Sequence, residues 1–552
     1  MHSRRDLSCA RGFEWWLLRE ARRRNPRILT YGLLWGMPGW VDNQTARDPQ
    51  GFDWRHDFGP DMVRYLVSWV GCASSQNLTI DLLGIWNESP WGTVPFVKSL
   101  KHALTASGHS STELVLMDGG LPPDTDPFWQ GLADPEFVDA FAAVGFHYPC
   151  VSKERLPSMR KYMAAAPGHK LWSSEDFFLD GKGWPGAACW ATILNANFLA
   201  MNMTSTIAWS AVWSVYGPGM FQDEGIDPQG KQWGPGLIIA SSPWSGHFDV
   251  TPAAFVTGHT TSFTAPGDRY LAVGENAGSG YLSGGGSYVT LVGEAGSPRR
   301  FAMVIETADA QHCNQSLDPG GPGQGNRGCA NAKRLAKAPQ AIEVVLRGDL
   351  AGHSELSVVR SNHARYFAEL PRLAPTSRTS TETTFSITLE PGAVYTIATP
   401  RALPPPLPAP PADAPFPLPF EPDWTPGATD PATARPRPRP LVADQYAPFF
   451  ADKAGSWALA EAVGETELVL QQVVPERPGA NRWAAHNLDF PLTVVGGVGW
   501  GSYTVSVRAQ IVQPGRRPSA EASVYLCGWA SSPQQQFPLP QDFLFSASPQ
   551  PL

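Results

Sequence analysis

The chain has 552 residues, a formal net charge of −8 and 42% apolar content, enough for several packed domains. That mildly acidic balance excludes the basic face a nucleic-acid binder needs, and no apolar run approaches the roughly 18 residues of a membrane-spanning helix. The 53 Gly and 54 Pro promise abundant turns, while seven Cys are too few for a disulfide scaffold.

The opening stretch MHSRRDLSCARGFEWWLLREARRR is no signal peptide, because its apolar centre is short and runs directly into a helix at Trp15–Arg24 that Asn25-Pro26 ends. N-glycosylation triplets occur at Asn43, Asn77, Asn202 and Asn314. Each is weak alone; together they favour a secretory protein whose leader lies outside this chain. Apolar runs at Ile28–Trp35, Ile80–Trp86, Glu113–Met117, Phe141–His147, Lys170–Ser174 and Thr206–Val212 read as strands. Helical patterns at Met62–Val70, Phe96–Thr105 and Cys189–Met201 lie between them. Buried strands alternating with helices predict a parallel sheet, and the spacing fits a (β/α)₈ TIM barrel over residues 1–266 that lacks its first two strands.

From about residue 267 to 400 the strands follow one another without helices, which predicts a β-sandwich. They are Tyr288–Val292, Phe301–Glu306, Ile342–Leu346, Leu356–Arg360, Thr384–Leu389 and Val394–Thr399. The Gly-rich LDPGGPGQGNRG has no βαβ context and reads as a loop. Residues 401–440 form a Pro-rich linker. A third β unit, 441–552, carries strands at Leu468–Val474, Leu492–Val495, Tyr503–Gln510 and Ala522–Leu526, too few for a complete sandwich.

A barrel of this kind carries its active site at the strand C-termini. LLGIW runs into Asn87-Glu88, and KLWSS into Glu175-Asp176, so two carboxylates should project from one rim. Glycoside hydrolysis needs such a pair. The competing reading is that each Glu caps the helix that follows. Trp35 and Trp209 end neighbouring strands and could flank a sugar ring or simply pack the barrel top. His147 and Tyr148 end another strand, GFHYP; the His could bind a substrate hydroxyl, and a structural hydrogen-bonded role fits it at least as well. No HExxH, paired CxxC or GxSxG is present in this region, which disfavours a metallohydrolase or a serine esterase.

The stretches RGFEWWLLREARRRNP, LLWGMPGW, IDLLGIWNESP, KLWSSEDF, CWATILNANFLAMNMTSTIAW and GHTTSFTAPG resemble glycoside hydrolase family 59, and the resemblance extends over most of the chain. It implies a lysosomal, retaining β-galactosidase acting on galactosylceramide and galactosylsphingosine, with a TIM barrel, a β-sandwich and a lectin-like domain, here partial. It implies Glu88 as acid/base, Glu175 as nucleophile, and Asn87, Trp35, Trp209 and Trp483 as sugar contacts. It also implies a Cys189–Cys313 disulfide, for which Cys329 competes, a saposin as lipid-transfer activator, no catalytic cofactor, and a structural calcium in the lectin-like unit with unnamed ligands. The chain departs from the family after Cys313, where Asn314-Gln315-Ser316 replace an Arg, and at Phe178, which replaces a Ser. Arg327 stands in the altered loop with no assigned role. Two rival readings stand beside this one: a Glu/Glu glycosidase for another β-glycoside, and an inactive carbohydrate-binding relic.

Overall fold

The computed structural model describes residues 7–11, 14–42, 58–149, 156–176, 183–213, 236–309 (less 241, 243 and 297), 335–403, 409–424 and most of 441–473, with residue 5 and short segments up to 546. Its first half alternates helices and strands: α1 (Glu14–Arg24), β1 (Tyr31–Leu33), α2 (Gly39–Asp42), α3 (Pro60–Ser75), β2 (Leu82–Gly84), α4 (Val94–Ala106), β3 (Glu113–Gly119), α5 (Pro127–Gly131), α6 (Pro135–Val138), β4 (Phe141–His147), α7 (Leu156–Ala165), β5 (Lys170–Asp176), α8 (Trp184–Met201) and β6 (Thr206–Ala208). Local chemistry starts these helices where it should. Pro60 and Asp61 open α3, whose buried Met62, Leu66, Val70 and Ala73 recur at helical spacing along one face. Thr93 caps α4 by accepting the Phe96 N–H at 3.3 Å.

All six strands join one parallel sheet in the order β1-β2-β3-β4-β5-β6, each at a position the apolar runs predict. Sequential parallel order is singly wound, as in an arc of a barrel, without the reversal of a doubly wound sheet. Both faces are covered. Leu82, Val115, Ala143 and Trp172 pack with Tyr31 in one small cluster. A larger cluster joins the strands to the helices and centres on Phe128, Phe137 and Tyr162. The arc also curls: Trp35, just after β1, lies 6.2 Å from Trp209, just after β6, with their rings 22° from parallel. A disulfide between Cys9 and Cys72, which composition did not foretell, ties the segment before α1 to α3.

Short strands β7 (Val212–Trp213), β8 (Ile238–Ile239) and β9 (Asp249–Val250) and helix α9 (Pro252–Thr261) lead into the second half. There β10 (Arg269–Tyr270), β11 (Gly280–Tyr281), β12 (Ser287–Gly296), β13 (Arg299–Glu306), β14 (Gln340–Arg347), β15 (Leu356–Ser361), β16 (Ala368–Leu373), β17 (Ser377–Arg378), β18 (Glu382–Leu389) and β19 (Val394–Ala398) form two antiparallel sheets. The seven-stranded sheet has the path β10-β12-β13-β19-β15-β16, with β11 beside β12; the other sheet is β14-β18-β17. Phe301, Ile305, Val344, Phe385 and Tyr395 fill the space between the sheets. The outer face of the larger sheet packs on α8 and α9. This explains why α8 is apolar nearly all round: Trp184, Trp190, Ile193 and Phe198 are buried together with Val289, Leu291 and Val304 of the sheet.

Beyond β19 the Pro-rich stretch is not a free tether where it is described. Phe416 is buried against Trp244 with ring centroids 5.0 Å apart, and the Trp244 indole N–H donates to the Ala414 carbonyl at 2.6 Å. Of the third unit, Leu468–Gln472 and Leu492–Val494 form as predicted, each in a two-stranded pair. The strand expected over Tyr503–Gln510 is not formed in its described part, residues 504–508, where Val505 and Val507 stand more than half exposed and so bury no face.

Glu306 occupies the seam between α8 and the sandwich, fully buried. It accepts the Ser287 hydroxyl at 2.6 Å, the Ala308 N–H at 2.9 Å and the Thr192 hydroxyl at 3.2 Å. Burial outweighs these bonds and pushes its carboxyl up to about 7 from 4.5. Between those two values the folded chain holds a proton that the unfolded chain has released, so stability falls as pH rises through this window. Glu306→Gln is expected to remove about 1–3 kcal/mol of that fall. Denaturation midpoints of both proteins at the two ends of the window check this.

Candidate active site

The parallel sheet brings every strand C-terminus to one edge, and main-chain bonds lock the ends together. Asn87 N–H donates to Leu34 O and Glu88 N–H to Asp118 O, both at 2.7 Å. Tyr148 N–H donates to Glu175 O at 3.0 Å and Trp209 N–H to Asp176 O at 2.8 Å. Glu88 and Tyr148 hold left-handed φ values of 43° and 48°, which cost a non-glycine residue about 1–2 kcal/mol. Those same bonds hold both turns in place. Gly119 makes room for the first, since a Cβ there would sit 3.1 Å from Glu88 Cα.

The side chains converge. One carboxylate oxygen of Glu88, one of Glu175 and a ring nitrogen of His147 lie within 4.8 Å of one another. His147 Nδ1 is 2.8 Å from Glu88 Oε1 and 3.7 Å from Glu175 Oε2, while Nε2 is 3.1 Å from Asp118 Oδ1. Ionised carboxylates only accept, so a ring bonded to one at each nitrogen donates twice and carries a positive charge. The Tyr148 hydroxyl donates to Glu175 Oε1, and the Tyr31 hydroxyl donates to Asp118 Oδ2 at 3.2 Å. His147, Asp118 and Glu175 are all buried, and Glu88 is the most accessible of the four.

This environment separates the groups electrically. Burial alone would lower the His147 pKa, yet its bonds to Asp118 and Glu88 raise it to about 10. Burial raises Glu175 to about 7; the His147 charge and the Tyr148 hydroxyl pull it down, and Glu88 and Asp118 push it up. The Tyr148 phenol is held far above its ordinary value, first by burial and then by the charge of Glu175. It therefore stays a donor at any working pH.

Of the residues singled out in the sequence, Glu88 and Glu175 meet. Asn87 lies beside them, 2% exposed, and among the described residues its Oδ1 has no hydrogen-bond partner. Trp35 and Trp209 stack at the same edge, and Trp213 meets Trp209 edge-on at 5.2 Å. His147, left open between two roles, is the centre of the network. Asp118 and Tyr31 were missed; Asp118 also follows an apolar run, LVLM, which is the signal that marked the two Glu. Cys189 is disulfide-bonded. Cys313, Cys329, Trp483, Phe178 and Arg327 lie outside the described residues, as do Asn43 and Asn314. Asn77 and Asn202 are exposed, each just after a helix at left-handed φ values of 56° and 55°.

A family model described as glycosyl hydrolase family 59 matches residues 1–262. A galactocerebrosidase of Danio rerio is 32% identical over 534 residues, covering 93% of this chain and 69% of its own length. A galactocerebrosidase of Homo sapiens is 30% identical over 536 residues, covering 93% and 66%. The chain thus spans about two thirds of the length of these relatives. Among solved structures, a GH30 endoxylanase from Clostridium papyrosolvens aligns over 71% of this chain and 87% of its own with a TM-score of 0.46 and 14% identity.

Removing the Tyr148 hydroxyl takes away a donor that stabilises ionised Glu175. Tyr148→Phe is expected to raise the Glu175 titration by about one unit. ¹³C NMR of glutamate-labelled protein across the neutral range reads this shift.

Proposed function

The chain belongs to glycosyl hydrolase family 59, and from that premise we propose that it hydrolyses the galactosyl bond of galactosylceramide and related galactolipids with retention at the anomeric carbon. It is a glycoside hydrolase. The observation that carries the retaining reading is the approach of Glu88 and Glu175 to within 4.8 Å. Retaining enzymes hold their carboxyls about 5–5.5 Å apart, whereas inverting ones leave room for a water at about 6.5–9.5 Å.

In this reading the Tyr148 hydroxyl occupies Glu175 Oε1 and leaves Oε2 to attack the anomeric carbon. As the glycosidic bond breaks, Glu88 gives its proton to the departing ceramide oxygen, while its Oε1 stays bonded to His147 Nδ1. The glycosyl–Glu175 ester forms. Glu88, now a carboxylate, takes a proton from water, and the resulting hydroxide cleaves the ester to release β-galactose and ionised Glu175. Protonating Glu88 removes one of the negative neighbours that raise Glu175, so the acid and the nucleophile favour each other's working state. No cofactor enters any step. Asn87, with its buried unpaired oxygen, suits a sugar hydroxyl, and the Trp35–Trp209 pair suits the apolar face of the ring.

The finer architecture belongs to the same proposal: the arc is part of a (β/α)₈ barrel over 1–266, followed by a sandwich to 400, a Pro-rich connection and a lectin-like unit with calcium. Cys313 pairs with Cys189, Trp483 reaches the sugar, and a saposin delivers the lipid in the lysosome. The names of the relatives support the galactolipid substrate, and the other points rest on the family resemblance of the sequence.

Glu175→Gln keeps shape and is expected to lower turnover of galactosylceramide at least about a thousandfold, with little change in melting temperature. Near-normal turnover would remove the nucleophile assignment. Glu88→Gln is expected to cost roughly 10²–10⁴ on galactosylceramide, and far less in the first, glycosylation step on a 4-nitrophenyl galactoside, whose leaving group needs no proton. Pre-steady-state release of nitrophenol separates that step from ester hydrolysis, and the matching glucoside reports sugar selectivity.

A further inference from the structure

Asp118 is the last residue but one of β3, between β2, which leads to Glu88, and β4, which carries His147, and it is 1% exposed. Each part of it is used. Oδ1 lies 3.1 Å from His147 Nε2, Oδ2 accepts the Tyr31 hydroxyl at 3.2 Å, and the carbonyl accepts the Glu88 N–H at 2.7 Å. A glycine keeps the adjacent space open: a Cβ on Gly145 would come within 2.5 Å of Ser174 Oγ and 3.2 Å of Asp118 Oδ1. An imidazole held at one nitrogen by a carboxylate has its tautomer and its tilt decided by that bond.

We propose that Asp118 is the positioning residue of the reaction: by accepting Nε2–H it aims His147 Nδ1–H between Glu88 and Glu175 and keeps the ring a cation there. This rests on the reading of Glu88 and Glu175 given above. The groups facing the ring are Glu88 after β2, Asp118 of β3, Tyr148 after β4 and Glu175 of β5, with Tyr31 of β1 behind Asp118. His147 is within 2.8 Å of Glu88, 3.1 Å of Asp118 and 3.7 Å of Glu175, so its state changes the net charge around all three carboxylates. With the ring cationic, Glu88 Oε1 keeps its donor through both half-reactions and Glu175 keeps the charge that favours its ionised form. With the ring neutral, both are lost together.

Asp118→Asn tests this, because it keeps size and an acceptor oxygen but removes the charge. NMR of ¹⁵N-histidine-labelled protein follows His147, its signal assigned by its loss in His147→Gln. In the unaltered protein His147 is expected to remain an imidazolium through pH 8. In Asp118→Asn its titration midpoint is expected to drop by at least two units, while kcat on 4-nitrophenyl β-galactoside falls at least tenfold and KM changes less than threefold. A midpoint and a kcat both unmoved in Asp118→Asn would overturn the proposal. So would a His147 that titrates near its ordinary 6.5 in the unaltered protein, a result that needs no variant to fold. Glu175→Gln run in parallel keeps the two readings apart. If it stays active, the hydrolytic assignment fails; if it is inactive while Asp118→Asn behaves like the unaltered protein, only the role of Asp118 fails.

Discussion

A buried positive charge among three carboxylates is the constraint on which the rest of the site depends. Two acidic side chains brought within 4.8 Å at a mostly buried edge repel each other, and burial alone would neutralise at least one. His147 makes the arrangement tenable by donating to Glu88 and Asp118 and standing 3.7 Å from Glu175. The ring sits at the end of β4, between the strands that supply its partners, so its place follows directly from sequential parallel order. Had the sheet reversed its winding, as doubly wound sheets do, Glu88 and Glu175 would not flank a common neighbour.

The second structural dependency runs through α8. One face of this helix supports the site: Asn197 donates to Asp176 Oδ2 at 3.0 Å and to the Thr206 hydroxyl at 2.9 Å, tying β5 to β6 beside Glu175. Another face is part of the sandwich core, where the Asn195 amide donates to the Ser287 hydroxyl at 3.2 Å and the Trp184 indole to the Gly392 carbonyl at 2.9 Å. A largely apolar helix with polar contacts at Thr192, Asn195 and Asn197 thus connects both packing units. Each buried amide is satisfied on a different side, which explains how Asn195 and Asn197, only two residues apart, both sit in the interior.

What the sequence made legible followed from period and length. Strands buried on both faces leave uninterrupted apolar runs, so all six strands of the parallel sheet could be placed, along with the carboxylates at the ends of two. Strands β12, β13 and β15 were legible for the same reason. Strand β16, AELPRL, was not: it lies at a sheet edge with half its residues exposed and none buried, so nothing in its pattern separates it from a loop. Asp118 was overlooked because Asp-Gly-Gly after a strand reads as turn chemistry, and only the register between β3 and β4 turns that carboxylate toward His147. His147 itself could be named but not decided, since its role is set by partners from three other strands. The stacking of Trp35 on Trp209 likewise depends on how far the sheet curls, which local pattern does not encode.

The proposed division of labour between Glu88 and Glu175 shows how little of a mechanism resides in residue type. Both are glutamates that follow apolar strand runs, and either could be read as acid or nucleophile from sequence spacing alone. Their surroundings differ. Glu175 is the more buried, takes the Tyr148 hydroxyl on one oxygen and has the other 3.7 Å from His147 Nδ1, which suits an attacking carboxylate held in one orientation. Glu88 stands on a left-handed turn, more accessible, with one oxygen on the His147 ring. A group that must exchange protons with solvent in each cycle belongs at the wetter position, and one that must form a covalent bond belongs at the drier and more rigid position. The asymmetry of burial around a shared histidine is the physical ground on which the proposed roles rest.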